Sequence, residues 1–187
     1  MTASTQPWVF TDLQPITRED AASGFRCEED KLNDFFRRNA GQQSRRDENQ
    51  TWVLHRPEGR PELPRVLGFY TLALARVERE TLPPEVTRRL SPHPIPAILL
   101  ARLARDERCK GMGIGEHLLD DAHRRALRVN ALSGGLLVIV AAKNARAAAF
   151  YEAHDYTPLG LTAPGNWPQH FYVRMDTLRA SYADSPR

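Results

Sequence analysis

The run Cys109-Lys110-Gly111-Met112-Gly113-Ile114-Gly115 decides how the rest of the chain is read. Residues 95–106 before it form the longest apolar stretch and read as a strand. In the residues after it, Ile114, Leu118, Leu119, Ala122, Ala126 and Val129 share an arc about 140° wide at about 100° per residue, so 113–129 reads as an amphipathic helix. A strand feeding glycines that open a helix leaves several backbone N–H groups without partners around one point. Those donors, together with the positive end of the helix, bind an anion, most often a phosphate or diphosphate. Glycine is needed because a Cβ would keep the backbone away from the phosphate oxygens. Two other glycine loops fit poorly. A P-loop needs Gly-x-x-x-x-Gly-Lys followed by Ser or Thr, and a dinucleotide fingerprint needs Gly-x-Gly-x-x-Gly after a first strand. Here Gly111, Gly113 and Gly115 alternate, past the middle of the chain. A tight turn without a ligand is the competing reading.

Outward from that loop, the chain alternates strands and helices. Residues 8–13 read as a first strand. Residues 27–40 read as a helix, with Glu28, Glu29 and Asp30 in a first turn that suits the helix dipole. Leu32, Phe35 and Phe36 make its buried stripe, and Arg37-Arg38 its basic end. Residues 41–49 follow as a loop or short helix. Residues 50–55 and 65–74 are two β-rich strands joined by a proline-bearing loop. A short helix is expected at 84–90, opened by Pro83-Pro84. A strand at 135–141, an alanine-rich helix at 144–154 and strands at 156–159 and 170–175 complete the pattern. This mixture predicts an α/β sheet covered by helices, one domain over residues 1–176, and a polar tail at 177–187.

Composition bounds the answer. With 187 residues, 41% hydrophobic and 26% charged, the chain is neither disordered, fibrous nor a disulfide-stapled miniprotein. Cys27 and Cys109 are too few for a disulfide framework and read as reduced thiols. No apolar run approaches the roughly 20 residues of a membrane span, and the N-terminus has no secretory pattern. A cytoplasmic protein with no membrane partner is expected. Twenty-six basic against 23 acidic residues leave a formal charge of +3. Arginine pairs recur at Arg37-Arg38, Arg45-Arg46, Arg88-Arg89 and Arg124-Arg125. The planar guanidinium suits phosphate, although a solvated arginine-rich surface reads the same way. The six histidines show no metal-ligand spacing, and no metal is expected.

Two motifs carry a resemblance. Lys110-Gly-Met-Gly113-Ile-Gly115, preceded by Arg102-Leu-Ala-Arg-Asp106 and followed by Leu118-Leu119, resembles the acetyl-CoA loop of the GNAT acetyltransferases. Lys110 stands where that family has Arg or Gln. Asn144-Ala-Arg-Ala-Ala-Ala-Phe150-Tyr151, ending in His154-Asp155-Tyr156, is similar to the family's later Asn…Phe-Tyr segment. The likeness covers about residues 8–176 and implies the GNAT fold, a mixed, mostly antiparallel central sheet flanked by helices on both faces. A narrower likeness rests on Phe25-x-Cys27, Leu32-Asn33-Asp34-Phe35-Phe36, Gly68-Phe69-Tyr70-x-Leu72 and Ile95-Pro96 before Arg102-Leu103-Ala104. These resemble the GNAT toxins of bacterial toxin–antitoxin pairs, which acetylate the amino group of aminoacyl-tRNA. That resemblance implies tRNA as substrate, a ribbon–helix–helix antitoxin as partner, and a homodimer as a further expectation.

The resemblance also implies roles. Leu103, Ala104 and Arg105 would line the pantetheine arm of acetyl-CoA. Lys110, Gly111, Met112, Gly113, Ile114, Gly115 and Glu116 would hold its diphosphate. Asn144 and Phe150 would complete the cofactor site, Asn144 also as a helix cap and Phe150 also as packing. Tyr151 is the acid: a phenol of pKa about 10 is protonated at neutral pH and can donate to a departing thiolate whose acid has a pKa of about 8.5. No carboxylate stands out as base, with Glu78, Glu80 and Asp106 as candidates. An α-amino acceptor, with a pKa of about 7.7–8.0, needs little help, whereas lysine at about 10.4 needs more. An acetyl-cysteine on Cys109 lacks a histidine partner. The arginine pairs at 37–38, 45–46 and 88–89 are the candidate tRNA contacts. His117, Arg124 and Arg128 share one face of the 113–129 helix, either a phosphate-tracking stripe or, with Asp120 and Asp121 diluting it, a salt-bridged solvent face. Two rival readings are an acetyltransferase for a small amine or protein amino group, and a non-catalytic CoA-binding sensor or scaffold.

Overall fold

A computed structural model describes residues 10–88 and 90–183. Seven strands form a mixed sheet: β1 (Gln14–Pro15), β2 (Gln50–His55), β3 (Val66–Val77), β4 (Ile95–Arg105), β5 (Leu137–Ala142), β6 (Thr157–Pro158) and β7 (Gln169–Arg174), in the order β1-β2-β3-β4-β5-β7-β6. β4 and β5 are parallel, while β1–β2, β5–β7 and β6–β7 are antiparallel. The flanking helices are α1 (Arg18–Ala21), α2 (Asp30–Asp34), α3 (Ala40–Arg45), α4 (Pro84–Thr87), α5 (Ile114–Ser133), α6 (Ala145–Glu152) and α7 (Met175–Tyr182). The α/β architecture expected from the sequence is the one observed.

Two compact units divide the chain: residues up to Thr71 with Arg102–Asp121, and Leu72–Ala101 with residues from Ala122 onward. The first packs around aromatic rings. Phe36 lies 4.9 Å from Phe25 and 4.6 Å from Phe69 between ring centroids, enclosed by Leu32, Val53, Val66 and Ala104. Five residues of π-helix, Phe35–Asn39, join α2 to α3. Phe36 and the fully buried Ala40, four residues apart, share one face, and the helix expected at 27–40 starts later and runs on to Arg45. Asp30 alone of the three acids lies in its first turn. Glu28 instead pairs with Arg105 at 3.5 Å. Gly68 is required by close approach: a Cβ there would lie 2.8 Å from Leu118 Cδ1 and 2.9 Å from the Ala104 carbonyl oxygen.

In the second unit Val77, Leu82, Val86, Ile95, Ala97, Leu137 and Tyr172 form the core. β5 reads as a nearly unbroken apolar run because residues on both its faces are buried, Leu137 on one and Val138 on the other. Two expectations are corrected. The first strand is Gln14–Pro15, not 8–13, part of which lies outside the described residues; Pro15 has no N–H to extend the ladder. The last strand ends at Arg174, and Met175–Tyr182, expected as strand end and polar tail, is a helix that buries Met175 and Leu178. Their spacing of three residues is the only apolar periodicity the segment carries, too short a signal to separate a helix from a tail.

Candidate active site

In the first unit β4 ends at Arg105 and delivers a fully buried Asp106. Its N–H donates to the Leu67 carbonyl at 2.8 Å, and its own carbonyl accepts from Cys109 N–H at 3.0 Å. The carboxylate accepts from the backbone of Arg26 and of Arg108, each at 3.1 Å, and from the Arg108 guanidinium at 2.7 and 2.8 Å. Burial alone would raise this carboxyl's pKa, but the Arg108 and backbone donors outweigh it and hold it below the usual value. Asp106 is thus the clamp that shapes the turn; with both oxygens occupied it is not the base that the sequence allowed. Glu78 and Glu80 are exposed side chains of the second unit.

Beyond the clamp the backbone turns through Gly111 at φ 80° and Gly113 at φ 71°, the left-handed region that side-chain-bearing residues enter at a cost. A Cβ at either glycine would meet no protein atom within 4 Å, so conformation and not packing demands them, and the space above is open. The Gly113 carbonyl accepts the His117 N–H at 3.1 Å and opens α5. The N–H groups of Ile114, Gly115 and Glu116 therefore have no carbonyl of their own helix to bind. Bare donors, open space above them and the positive end of a 20-residue helix fit the diphosphate of CoA. Lys110 is exposed beside them. Cys109 is fully buried, and burial followed by the Asp106 charge pushes its thiol pKa up. A thiol held neutral is a poor nucleophile, which removes the acetyl-cysteine route. Ala104 belongs to the aromatic core, Leu103 is half-buried, and Arg105 points to Glu28 and to the Asp106 carbonyl at 3.3 Å.

In the second unit Asn144 caps α6, its Oδ1 accepting the Ala147 N–H at 2.9 Å. One face of this helix buries Ala148 and Tyr151. The Tyr151 ring packs 5.3 Å from Tyr156 and 5.4 Å from Phe150, which also packs 4.7 Å from His154. Desolvation pushes the Tyr151 phenol well above its ordinary pKa, and among the described residues no side chain hydrogen-bonds its hydroxyl. Behind it the Tyr156 hydroxyl lies 2.9 Å from His123 Nε2, and His123 Nδ1 lies 3.2 Å from the Tyr182 hydroxyl. Each ring nitrogen of His123 thus meets a phenol hydroxyl, with the donor at each contact set by the tautomer. This wall was not read from the sequence, because Tyr182 belongs to the helix mistaken for a tail. Asp155 takes φ 65° where the chain leaves α6, a conformation its short polar side chain tolerates.

Of the arginine pairs, Arg37, Arg38, Arg45 and Arg46 are exposed in the first unit, with Arg37 paired to Asp34 at 2.5 Å and Arg46 to Glu48 at 3.8 Å. Arg88 is exposed in the second unit, and Arg89 lies outside the described residues. The expected basic stripe on α5 is partly taken up by packing. His117 stacks on Phe10 at 4.3 Å, and the Arg124 guanidinium lies 4.8 Å from the centre of the Tyr182 ring. Among the described residues no group of three His, Cys, Asp or Glu is placed to hold a metal, and no helix is long and apolar enough to cross a membrane.

No protein-family model matches the chain. It is 33% identical over 169 residues to a tRNA-acetylating toxin of Mycobacterium tuberculosis, covering 90% of this chain and 95% of that one. It is 26% identical over 180 residues to the probable toxin TacT of Sinorhizobium fredii, covering 92% and 93%. The structure of AtaT complexed with acetyl-methionyl-tRNAfMet superposes with a TM-score of 0.77 at 25% identity, over 91% of this chain and 98% of that one. With these similarities the chain belongs to the tRNA-acetylating toxins, N-acetyltransferases of the GNAT fold.

Proposed function

We propose that this protein transfers the acetyl group of acetyl-CoA to the α-amino group of an aminoacyl-tRNA and acts as the toxin of a toxin–antitoxin pair, with a ribbon–helix–helix antitoxin as its partner. The observation that carries this reading is the cradle at Gly111 and Gly113, bare of side chains, in a chain 33% identical to a toxin of that activity. Solved complexes of the similar AtaT contain acetyl-CoA, acetyl-methionyl-tRNA and the C-terminus of the antitoxin AtaR.

Acetyl-CoA supplies an activated acetyl group on a thiolate leaving group. Backbone N–H groups from Gly111 to Glu116 hold the diphosphate, with Lys110 adding charge. The edge of β4 at Leu103, Ala104 and Arg105 guides the pantetheine arm, and Asn144 and Phe150 flank it. The Tyr151 hydroxyl gives its proton to the departing sulfur. A phenol raised by burial is a weaker acid than one in water, and a thiolate withdrawn from water gains proton affinity in the same direction. The acceptor α-amine, with a pKa of about 7.7–8.0, is already partly neutral at pH 7 and attacks without a dedicated base. This suits a chain whose best-placed carboxylate, Asp106, is consumed by Arg108.

The test is incubation of the purified chain with radiolabelled acetyl-CoA and total charged tRNA. Label is expected in acid-precipitable material that mild alkali releases, because the aminoacyl ester is base-labile. Label on protein, or none in the RNA fraction, would refute the reading.

A further inference from the structure

Arg102 stands on β4 directly before Leu103 and Ala104, its guanidinium carbon 3.6 Å from the centre of the Phe35 ring. The side chain is half-buried, and desolvation lowers its pKa. The other arginines at this end of β4 are matched: Arg105 by Glu28 and Arg108 by Asp106. Arg102 has, among the described residues, neither an acid partner nor a hydrogen-bond acceptor. The face of Phe35 compensates part of its charge, but the five N–H donors of a guanidinium are not satisfied by a ring. The guanidinium is only half withdrawn from water and none of its nitrogens is among the fully buried unpaired atoms of the described residues. Solvent therefore fills these donors until an arriving anion takes its place with charge-assisted hydrogen bonds.

The surroundings say which anion. Phe35 begins the π-helical segment that carries Arg37 and Arg38 and leads to α3 and Arg45. Arg38 and Arg45 are exposed and have no acid partner among the described residues. A half-buried guanidinium at the root of a basic helical run matches a polyanion better than a single small acid. The phosphates of CoA are the other source of the same chemistry, but the glycine cradle already meets them with its own donors.

We infer that Arg102, held flat against Phe35, is a binding residue for a phosphodiester of the tRNA acceptor. The inference rests on the proposed tRNA acetylation. Arg102→Met, which keeps the stem and deletes the charge, and Arg102→Lys, which keeps a charge and loses the fork, test it. Binding of total charged tRNA is measured across a salt series, acetyl-CoA binding by calorimetry, and folding by thermal melting.

Arg102→Met is expected to weaken tRNA binding by about tenfold or more and to flatten the slope of log K against log salt by about 0.7–0.9, one phosphate's share. Acetyl-CoA affinity should be unchanged, and the melting temperature unchanged or higher, because no unpaired acid is left behind. Arg102→Lys should keep the salt slope while losing part of the affinity. Equal tRNA affinity and slope in Arg102→Met and wild type would overturn the inference. A loss of acetyl-CoA affinity would also overturn it by assigning the arginine to the cofactor, and a lower melting temperature with both ligands weakened would make it a structural residue. A wild-type protein that binds no tRNA at all would instead refute the acceptor assignment itself.

Discussion

The turn after β4 and the turn after β5 have the same topology, a strand running into a helix, and opposite chemistry. After β5, Asn144 supplies the missing acceptor from its own side chain and closes the N-terminus of α6. After β4, Gly113 supplies nothing beyond its carbonyl, and the first N–H groups of α5 stay bare over open space. In the proposed function the capped turn serves a side chain further along, Tyr151, and the uncapped turn is itself the binding surface. A helix N-terminus that the protein does not satisfy is available to a ligand, and one that it satisfies is structural.

The largest effect that would test this division lies on the capped side. Tyr151→Phe removes the proton donor without touching the cradle, so kcat should fall by about 10²- to 10⁴-fold while acetyl-CoA affinity is retained. An unaltered rate would place the acid elsewhere. The pH profile of the wild type sharpens the same point. Burial pushes the Tyr151 phenol up, so its proton is kept on the alkaline side, and only deprotonation of the acceptor amine shapes the curve. kcat/KM should rise through pH of about 7.7–8.0 with no descending limb below about 10; a fall in that interval would contradict the assignment.

On the uncapped side the clamp is the next strongest test. Asp106→Ala strands the backbone N–H groups of Arg26 and Arg108 and the Arg108 guanidinium that the carboxylate holds, and calorimetric melting should show a loss of about 2–4 kcal/mol, together with a raised KM for acetyl-CoA. Wild-type stability would show that the loop holds its shape without the carboxylate. Gly113→Val forces a β-branched residue to a positive φ, worth about 1–3 kcal/mol, and should raise KM for acetyl-CoA by about tenfold with kcat little changed at saturation. Unaffected cofactor binding would break the cradle assignment. The smallest effect returns to the capped turn: Asn144→Ala should lower stability by about 1 kcal/mol, and a null result in thermal melting would mean that the cap adds nothing.

Those two turns were legible before any coordinates because both depend on short-range chemistry. Glycines at alternate positions between a strand and an amphipathic helix, and an asparagine before an alanine-rich helix, are local statements about backbone geometry and capping. The π-helical segment at Phe35–Asn39 was not legible, since the 3.6-residue spacing of Leu32, Phe35, Phe36 and Ala40 is already satisfied without it. The helix at Met175–Tyr182 was missed for the related reason that its hydrophobic content is too sparse to define a period.

Residue order alone determined the strand–glycine–helix unit, the α/β class and the capping role of Asn144, because each rests on neighbours close along the chain, whereas Tyr151 was singled out by the family resemblance. Tertiary structure decided which polar groups are spent and which are free. Asp106 became a clamp because Arg26, 80 positions away, donates to it. Tyr156 became part of a wall because His123, 33 positions away, holds its hydroxyl, and Arg102 stayed unmatched because the fold sets an aromatic ring and no carboxylate against it. Charge satisfaction in a low-dielectric interior depends on contacts between distant segments, and only the folded chain brings those segments together.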